Sequence, residues 1–303
     1  MFFSLITQNL WIFLAILAGL FQTIRNTSSR TVAKIYKPST ITLIRFAYAL
    51  PFALIYALIL HMAGFVVGIL TFNFLLFVTI ASIFQIIGNT LFVNATKYGN
   101  FAVVVSFFRT DTILLAIIST LIFKVQYSGI AILGIFLTVF GTFLITFFKN
   151  KLKLSSLWSK DVLFGLSSAL FIVGAIIFFD GANKSFLGGS PIINVSVTLV
   201  ISTIIQTIFN TLWVFWKQKN ELFELRKTWK NDIIIGFASA LATICWFTAY
   251  LLKDSALVRA VGQIEFLFSI LVSIYFFKEK LKKVEILGIF IICIGILLVG
   301  LFR

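Results

Sequence analysis

The sequence predicts an all-α integral membrane protein whose ten transmembrane helices form a 5+5 inverted repeat. Three observations support this fold class. The chain is 60% hydrophobic and only 12% charged, with a mean hydropathy of +1.10, and a soluble domain could not bury that much apolar surface. Ten apolar segments each approach the roughly 20 residues that a membrane span requires. Finally, the pattern of residues 95–148 recurs in residues 249–302.

The two copies are related by a constant shift along the chain. Residues 132–136 and 286–290 are both Ile-Leu-Gly-Ile-Phe. Because the shift is about half the chain, we expect two five-helix units, residues 1–149 and residues 150–303. An odd number of spans makes the second unit enter the membrane from the opposite side, so a pseudo-two-fold axis lies in the membrane plane. This symmetry gives one fold an inward-open and an outward-open form.

The ten predicted spans follow one another with short polar or basic loops between them. The first span has the length of a signal peptide, but it lacks a basic start and an Ala-x-Ala-like end, and the sixth span matches it one half-repeat later. The fourth and fifth spans are those that recur as the ninth and tenth. In chain order the predicted spans cover residues 9–29, 41–60, 70–95, 100–122, 128–148, 161–180, 192–215, 232–252, 257–277 and 284–302.

Small residues form a stripe on the last helix of each unit. Gly134 and Gly141 are seven residues apart in the first unit, and Gly288 and Gly295 repeat that spacing in the second. Small residues at this spacing let another helix approach closely. We expect a packing contact here and no chemistry.

The net charge of +15 indicates orientation in the membrane rather than nucleic-acid binding. The basic residues lie in short loops, with no basic domain and no basic patch interleaved with aromatic residues, so no nucleic-acid partner is expected. Most of them lie in the odd-numbered loops, where loop n joins span n to the next span. The positive-inside rule places these loops in the cytoplasm and both termini outside. We expect a multi-pass protein of the plasma membrane, the cell inner membrane of a bacterium.

Residue types suited to catalysis or metal binding are scarce. Cys245 and Cys293 lie in apolar runs, where a packing role is expected, and the lone His61 is expected at the surface. The sequence has no nucleophile elbow, no Asp-rich metal pair and no phosphate-binding glycine loop. We therefore expect no enzyme activity, no metal and no cofactor.

Five charged residues inside predicted spans are candidates for a functional role, because a charge there costs on the order of 2.5–3.5 kcal/mol on insertion scales. Two of them, Asp111 and Glu265, coincide under the repeat shift, so inverted symmetry would place them as a pair on spans four and nine beside a central cavity. Either they neutralise arginines and hold helices together, or they serve substrate binding or proton coupling. Three cations against two anions leave one positive charge for a carboxylate or phosphate of a substrate. The five residues are Arg45, Arg109, Asp111, Arg259 and Glu265.

Amide side chains form three pairs with a spacing of four residues, which places each pair on one helix face. Facing lipid, these amides would leave donors unpaired, so we expect them to bond helix to helix or to line a wet cavity. The pairs are Gln22 with Asn26, Gln85 with Asn89, and Gln206 with Asn210. In span eight, Trp246 and Tyr250 also share a face and either form a stacking wall for a substrate or fill the core.

Short motifs in both halves match a known family pattern. They are Ala256 to Glu265, Phe277 to Leu281, Glu285 to Gly288 and Gly295 in the second half, and Gln22 to Asn26, Arg45-Phe46, Pro51-Phe52 and Asn100-Phe101 in the first. The chain therefore resembles the EamA-like family of the drug/metabolite transporter superfamily. The resemblance implies that spans one, three and seven surround a substrate path; members move amino acids, nucleotide-related metabolites, drugs and other amphiphiles. Val125 stands where the second copy has Glu279, so that acidic loop residue occurs once.

Duplication, intramembrane charges and resemblance together predict a secondary transporter that works by alternating access. We expect it to move a small amphipathic metabolite, such as an amino acid or a related anion-bearing compound, or a drug. Arg45 would attract the anionic group. Two alternatives stay open: a flippase for a lipid-linked head group, and a polytopic membrane enzyme. The expected partners are the small-molecule substrate, membrane lipid and a coupling proton, with the chain acting as a monomer or a homodimer.

Overall fold

The structure is a computed structural model that describes residues 2–99, 101–149, 159–277 and 283–301. Five residues of the family motifs, Asn100 and residues 278–281, lie outside these ranges. The helices are α1 (Phe2–Val32), α2 (Pro38–Ala47), α3 (Leu50–Met62), α4 (Phe72–Tyr98), α5 (Phe101–Phe108), α6 (Asp111–Phe123), α7 (Gly129–Lys149), α8 (Lys160–Lys184), α9 (Pro191–Glu224), α10 (Trp229–Leu252), α11 (Ser255–Gly262), α12 (Glu265–Phe277) and α13 (Lys283–Leu301).

The predicted set of ten membrane spans is confirmed. Ten segments of the described chain are long and apolar enough to cross a membrane. Spans one, three, five, six, seven, eight and ten are single helices, namely α1, α4, α7, α8, α9, α10 and α13. Spans two, four and nine are interrupted near their centres. Each consists of two helices in succession: α2 and α3, α5 and α6, and α11 and α12.

The break in span two has a direct cause in the sequence. Pro51 near the start of α3 has no N–H group and its ring clashes with the carbonyl four residues earlier, which belongs to Ala47, the last residue of α2. Gly236 of span eight packs against this break: a Cβ atom there would lie 2.3 Å from the carbonyl carbon of Tyr48. The break therefore lets spans two and eight approach at backbone distance.

The breaks in spans four and nine occur at matching places in the two halves. At the first, the Thr110 amide donates to the Phe107 carbonyl at 3.2 Å, and at the second the Ile264 amide donates to the Val261 carbonyl at 3.1 Å. Both hydrogen bonds span three residues rather than four, so the helix tightens before it breaks. Gly262 precedes the second break. A Cβ atom on Gly262 would fall 2.0 Å from the ring of Trp246 in span eight.

Packing between spans is symmetric under exchange of the two halves. Span one packs on span eight, and span six packs on span three in the corresponding way. Likewise span four packs on span six, and span nine on span one. Spans two and seven pack on each other, as do spans five and ten. Because each half has five spans, this pseudo-two-fold symmetry is that of an inverted repeat, as predicted.

Spans five and ten cross at the predicted glycine stripe. A Cβ atom on Gly134 would lie 2.8 Å from the Gly295 carbonyl oxygen, and one on Gly141 would lie 2.9 Å from the Gly288 carbonyl oxygen. The two helices therefore touch through their backbones, and any larger side chain at the crossing would force them apart. This confirms the packing role of the stripe.

The even-numbered loops lie at one end of the bundle and are tied together there. Ile69 in loop two and Leu187 in loop six exchange both backbone hydrogen bonds, at 3.0 and 3.2 Å. Beside them the Gly68 amide donates to the side-chain oxygen of Asn194 at 2.8 Å. In loop four the Tyr127 hydroxyl donates to the Asp254 carboxylate at 2.5 Å. We call these contacts the even-loop closure, because they shut this end of the bundle.

Candidate functional site

A cavity of about 710 Å³ enters the bundle from the odd-numbered loops. At its mouth it is lined by the loop-facing ends of spans one and three, including Ala33 and Lys97. It reaches inward to the broken centres of spans four and nine, at Arg109 and Glu265. The breaks therefore place charged side chains at the inner end of a water-accessible path.

Most residues predicted for the site line this cavity. The amide and aromatic residues among them are Gln22, Asn26, Gln85, Asn89, Trp246 and Tyr250. The charged ones are Arg45, Arg109, Arg259 and Glu265. Three predicted residues, Asp111, Gln206 and Asn210, lie outside its lining.

Glu265 is the centre of a hydrogen-bonded cluster at the inner end of the cavity. Its carboxylate forms an ion pair with Arg109 at 2.8 Å and accepts hydrogen bonds from Gln22 at 2.7 Å and from Asn26 at 2.9 Å. The side chain is 2% exposed. Gln22 and Asn26 reach the same carboxylate because their four-residue spacing puts them on one face of α1. Three N–H donors favour the ionised carboxylate.

Asp111 lies in the other half of the same arrangement. It forms an ion pair with Arg259, whose guanidinium also lies over the ring of Trp246, 5.0 Å from its centroid. Asp111 and Glu265 occupy corresponding positions in the two halves, and each carboxylate binds an arginine of the opposite half, as in the first of the two roles that the sequence left open. Opposite charges attract where two carboxylates would repel. Both ion pairs join span four to span nine.

Arg45 lies on α2 three residues before the break in span two. Its guanidinium donates to the side-chain oxygen of Asn89, and Asn89 in turn donates to the Gln85 carbonyl at 2.7 Å. Within the part of the chain that the structure describes, Arg45 forms no ion pair with a carboxylate. Its charge therefore faces the cavity with an amide oxygen and the ring of Phe46 as partners, the ring centroid lying 5.4 Å from the guanidinium carbon.

Arg25 is a functional candidate that the sequence reasoning missed. It is 7% exposed, lines the cavity and donates to the side-chain oxygen of Asn26 at 3.0 and 3.2 Å. A signal was present, since Arg25 falls inside the predicted first span and within one turn of Gln22. With Arg25 included, four arginines face two carboxylates at the centre of the protein.

The aromatic pair of span eight forms one wall of the cavity. The rings of Trp246 and Tyr250 are stacked, with centroids 5.8 Å apart and an interplanar angle of 24°. The Trp246 indole N–H donates to the side-chain oxygen of Gln22 at 3.1 Å. Gln22 therefore links this wall to Glu265.

The third amide pair bonds helix to helix. Gln206 of span seven donates to the side-chain oxygen of Gln85 in span three at 2.5 Å. Asn210 donates to the Gln206 carbonyl of its own helix at 2.7 Å. Both residues are buried. The sequence allowed each amide pair either to bond helix to helix or to line a cavity. This pair bonds helix to helix, and the other two pairs line the cavity.

A polar cluster at the mouth of the cavity was also missed. Lys97 donates to the Tyr36 carbonyl at 2.7 Å, and the Tyr36 hydroxyl donates to the Glu224 carbonyl at 2.9 Å. Burial raises the pKa of the Tyr36 phenol, so it remains a neutral donor at physiological pH. Asp232 is fully buried beside this cluster and accepts from Thr228 at 2.8 Å. From the sequence, Asp232 is only the first residue of the eighth predicted span.

The described residues contain no group of three or more His, Cys, Asp or Glu side chains that could hold a metal ion. Cys245 is buried and Cys293 is partly buried, and neither is bonded to another cysteine. What remains is a polar cavity, closed at one end, inside a bundle of ten apolar helices.

An inverted bundle around such a cavity is the architecture of a membrane transporter. The model of the EamA-like transporter family matches residues 9–147 and 159–301, once in each half. The chain belongs to the EamA-like transporter family.

Two further comparisons describe the fold. No protein in the curated set matches the chain. One solved structure, described only as the crystal structure of a protein, superposes with a TM-score of 0.74 over 95% of this chain and 99% of its own, at 14% identity. At that identity the likeness concerns the fold alone.

Proposed function

We propose that the protein is a secondary carrier that moves a small amphipathic metabolite with an anionic group across the plasma membrane of a bacterium. An amino acid or a related anion-bearing compound fits this description. The observation that carries the proposal is Arg45, a half-buried guanidinium on the wall of a half-open cavity. A guanidinium has five N–H donors in a planar fork that suits a carboxylate or phosphate.

Substrate binding would relieve an electrostatic cost. A cation within the membrane is unfavourable unless an anion or water accompanies it. Asn89 supplies one neutral oxygen to Arg45, so a substrate anion would replace water and complete its coordination. The polar wall would then be Gln22, Asn26, Gln85 and Asn89, with Trp246 and Tyr250 against the apolar part of the substrate.

In this proposal Asp111 and Glu265 balance the charge of the arginines and link the halves during the transport cycle. Glu265 accepts three N–H donors in this state, and these hold it as an anion. A coupling proton would therefore reach Glu265 only in a state in which Arg109 has moved away. Proton coupling would appear as uptake driven by a pH gradient across the membrane.

Alternating access follows from the symmetry of the fold. The cavity is open at the odd-numbered loops, while the even-loop closure shuts the other end. Exchanging the conformations of the two halves would open the even end and close the odd end. The substrate would meet the same residues from either side.

The test is uptake into vesicles that contain purified protein and its variants at matched amounts. Radiolabelled alanine, glutamate, benzoate and succinate are the probes. Arg45→Gln should lower the uptake of any transported anion, because the charge is lost while some hydrogen bonding remains. Arg45→Lys should recover part of it, since the charge returns without the planar fork. Arg226→Gln, at an exposed arginine outside the cavity, is the matched control and should transport like the parent.

Two results would contradict the role of Arg45. One is parental uptake by Arg45→Gln. The other is that Arg45→Gln fails to fold, while Arg45→Lys folds and keeps the substrate preference of the parent. Arg45 would then be a cation that serves only the structure.

A further inference from the structure

The cavity wall carries more positive charge than a substrate with a single carboxylate could balance. Six cationic side chains line it against two carboxylates, Glu265 and Glu285. Asp111 adds a third carboxylate behind Arg259. Among these described side chains the cations therefore outnumber the carboxylates by three. The six cations are Arg25, Arg30, Arg45, Lys97, Arg109 and Arg259.

Resting on the function proposed above, we infer that the substrate is an organic dianion without an ammonium group, bound between Arg25 and Arg45. A dicarboxylate and a phosphate monoester both have this chemistry. Arg25 is buried, Arg45 is half-buried, and both guanidinia line the same cavity, where their like charges repel each other. A second negative charge on the substrate would remove that repulsion.

Neither arginine has an ionic partner in the described chain. Arg25 donates to the side-chain oxygen of Asn26, and Arg45 donates to that of Asn89. Each guanidinium thus meets one neutral oxygen, although it carries five donors. Arg109 and Arg259 differ, because Glu265 and Asp111 already neutralise them.

A zwitterion would need a carboxylate for its ammonium group, and the cavity offers little for that purpose. Glu265 is already bound by Arg109, Gln22 and Asn26. Glu285, the other carboxylate of the wall, is buried at the start of span ten and has a contact of its own. An ammonium group would have to compete with Arg109 for Glu265, or bind Glu285 beside an excess of arginines.

The apolar part of the wall suits a flat group. The stacked Trp246 and Tyr250 rings form one side, and Phe92, Phe108 and Phe179 also line the cavity. Planar groups pack well against aromatic rings. Small aromatic acids are therefore suitable probes.

The experiment compares four probes that each contain one benzene ring. The measured quantity is the thermal unfolding midpoint of the purified protein in detergent. Benzoate carries one negative charge, isophthalate carries two separate charges, phenyl phosphate carries two charges on one group, and phenylalanine is a zwitterion. A ligand that binds the folded state raises the midpoint with its concentration. The comparison of isophthalate with phenyl phosphate distinguishes a dicarboxylate from a phosphate ester.

The expected result is that at least one dianion stabilises the protein at a concentration on the order of tenfold lower than benzoate does. Arg25→Gln should remove this difference and leave the response to benzoate in place, because Arg45 still binds one charge. Arg25→Lys should keep the preference for dianions. Arg226→Gln, outside the cavity, should respond like the parent. If Arg25→Gln does not fold, the parent and Arg25→Lys still give the comparison of one charge with two.

Three results would overturn the inference. Equal responses to benzoate and both dianions would show that one charge is enough, while leaving the function proposed above intact. Stabilisation by phenylalanine that matches the dianions and is lost in Glu285→Gln would identify a zwitterion site. A preference for dianions that Arg25→Gln leaves unchanged would remove Arg25 from the site. Failure of the proposed function is distinct, since uptake would then be insensitive to Arg45→Gln.

Discussion

At the residue scale, two ion pairs hold the centre of the protein together. Arg109 with Glu265 and Arg259 with Asp111 both join span four to span nine, and all four side chains are almost fully buried. In a low-dielectric interior, removal of one partner leaves an uncompensated charge, which costs more than the intact pair contributes. The pairs therefore fix how the two halves meet.

We expect Asp111→Asn to lower the free energy of unfolding by about 3–5 kcal/mol, because Arg259 stays buried without its counter-ion. The double variant Asp111→Asn with Arg259→Gln should lose less than the sum of the two single losses. Chemical unfolding in detergent measures both. Asp180→Asn is the control: its partner Lys184 is 71% exposed, so the loss should stay below about 1 kcal/mol. Additive single losses would show that the pair is not energetically coupled.

Spacing in the sequence predicted part of the site, and three-dimensional packing decided the rest. Gln22 and Asn26 were found because a four-residue interval defines a helix face, and both bind Glu265. The partner of Glu265 could not be found in this way. The repeat shift aligns Asp111 with Glu265, but it does not tell which arginine lies opposite each one. That depends on how spans four and nine cross.

At the element scale, broken spans and glycines set the distances between helices. The break in span two is readable from Pro51, whereas those in spans four and nine fall at residues 109–110 and 263–264, where the sequence has no proline. Hydropathy reports whether a segment crosses the membrane, not whether its helix is straight. The glycine stripe was readable because small side chains at a fixed spacing have few other uses in a span.

Gly141→Ala should lower the free energy of unfolding by about 1–3 kcal/mol, through overpacking. Its Cβ would lie 2.7 Å from Ile292 and 2.9 Å from the Gly288 carbonyl oxygen, so spans five and ten would have to separate. Gly129→Ala, at the start of the same helix, has no atom within 4 Å of its Cβ and serves as the control. Equal stability of the two variants would show that the crossing adapts without cost.

At the scale of the whole molecule, the even-loop closure holds one end of the bundle together. Tyr127 and Asp254 join loops four and eight by a hydrogen bond of 2.5 Å. Burial and the bond to Asp254 raise the pKa of the Tyr127 phenol. A raised pKa in the folded state means that this stabilisation is present below the ordinary tyrosine pKa and is lost as the pH rises through the folded value.

Tyr127→Phe should therefore reduce stability by about 1 kcal/mol at neutral pH. The difference from the parent should persist through physiological pH and shrink only above about pH 10. Thermal unfolding at a series of pH values measures it. Tyr275→Phe, at a ring that is 77% exposed, is the matched control and should be neutral. A difference that disappears near pH 7 would show that another group titrates at this closure.

The strongest test of alternating access is to lock the even-loop closure. Ile69 and Leu187 exchange both backbone hydrogen bonds, and residues paired in this way have Cα atoms about 5.5 Å apart, which is within the range of a disulfide. The double variant Ile69→Cys with Leu187→Cys should therefore oxidise to a cross-link that holds the even end shut. Uptake of a transported anion into vesicles should stop on oxidation and return on reduction, because the substrate could enter from the odd-numbered loops but could not leave.

The single variants contain the native Cys245 and Cys293 as well, so they control for other oxidation. Parental uptake by the cross-linked protein would show that the substrate leaves by a path that does not require loops two and six to separate.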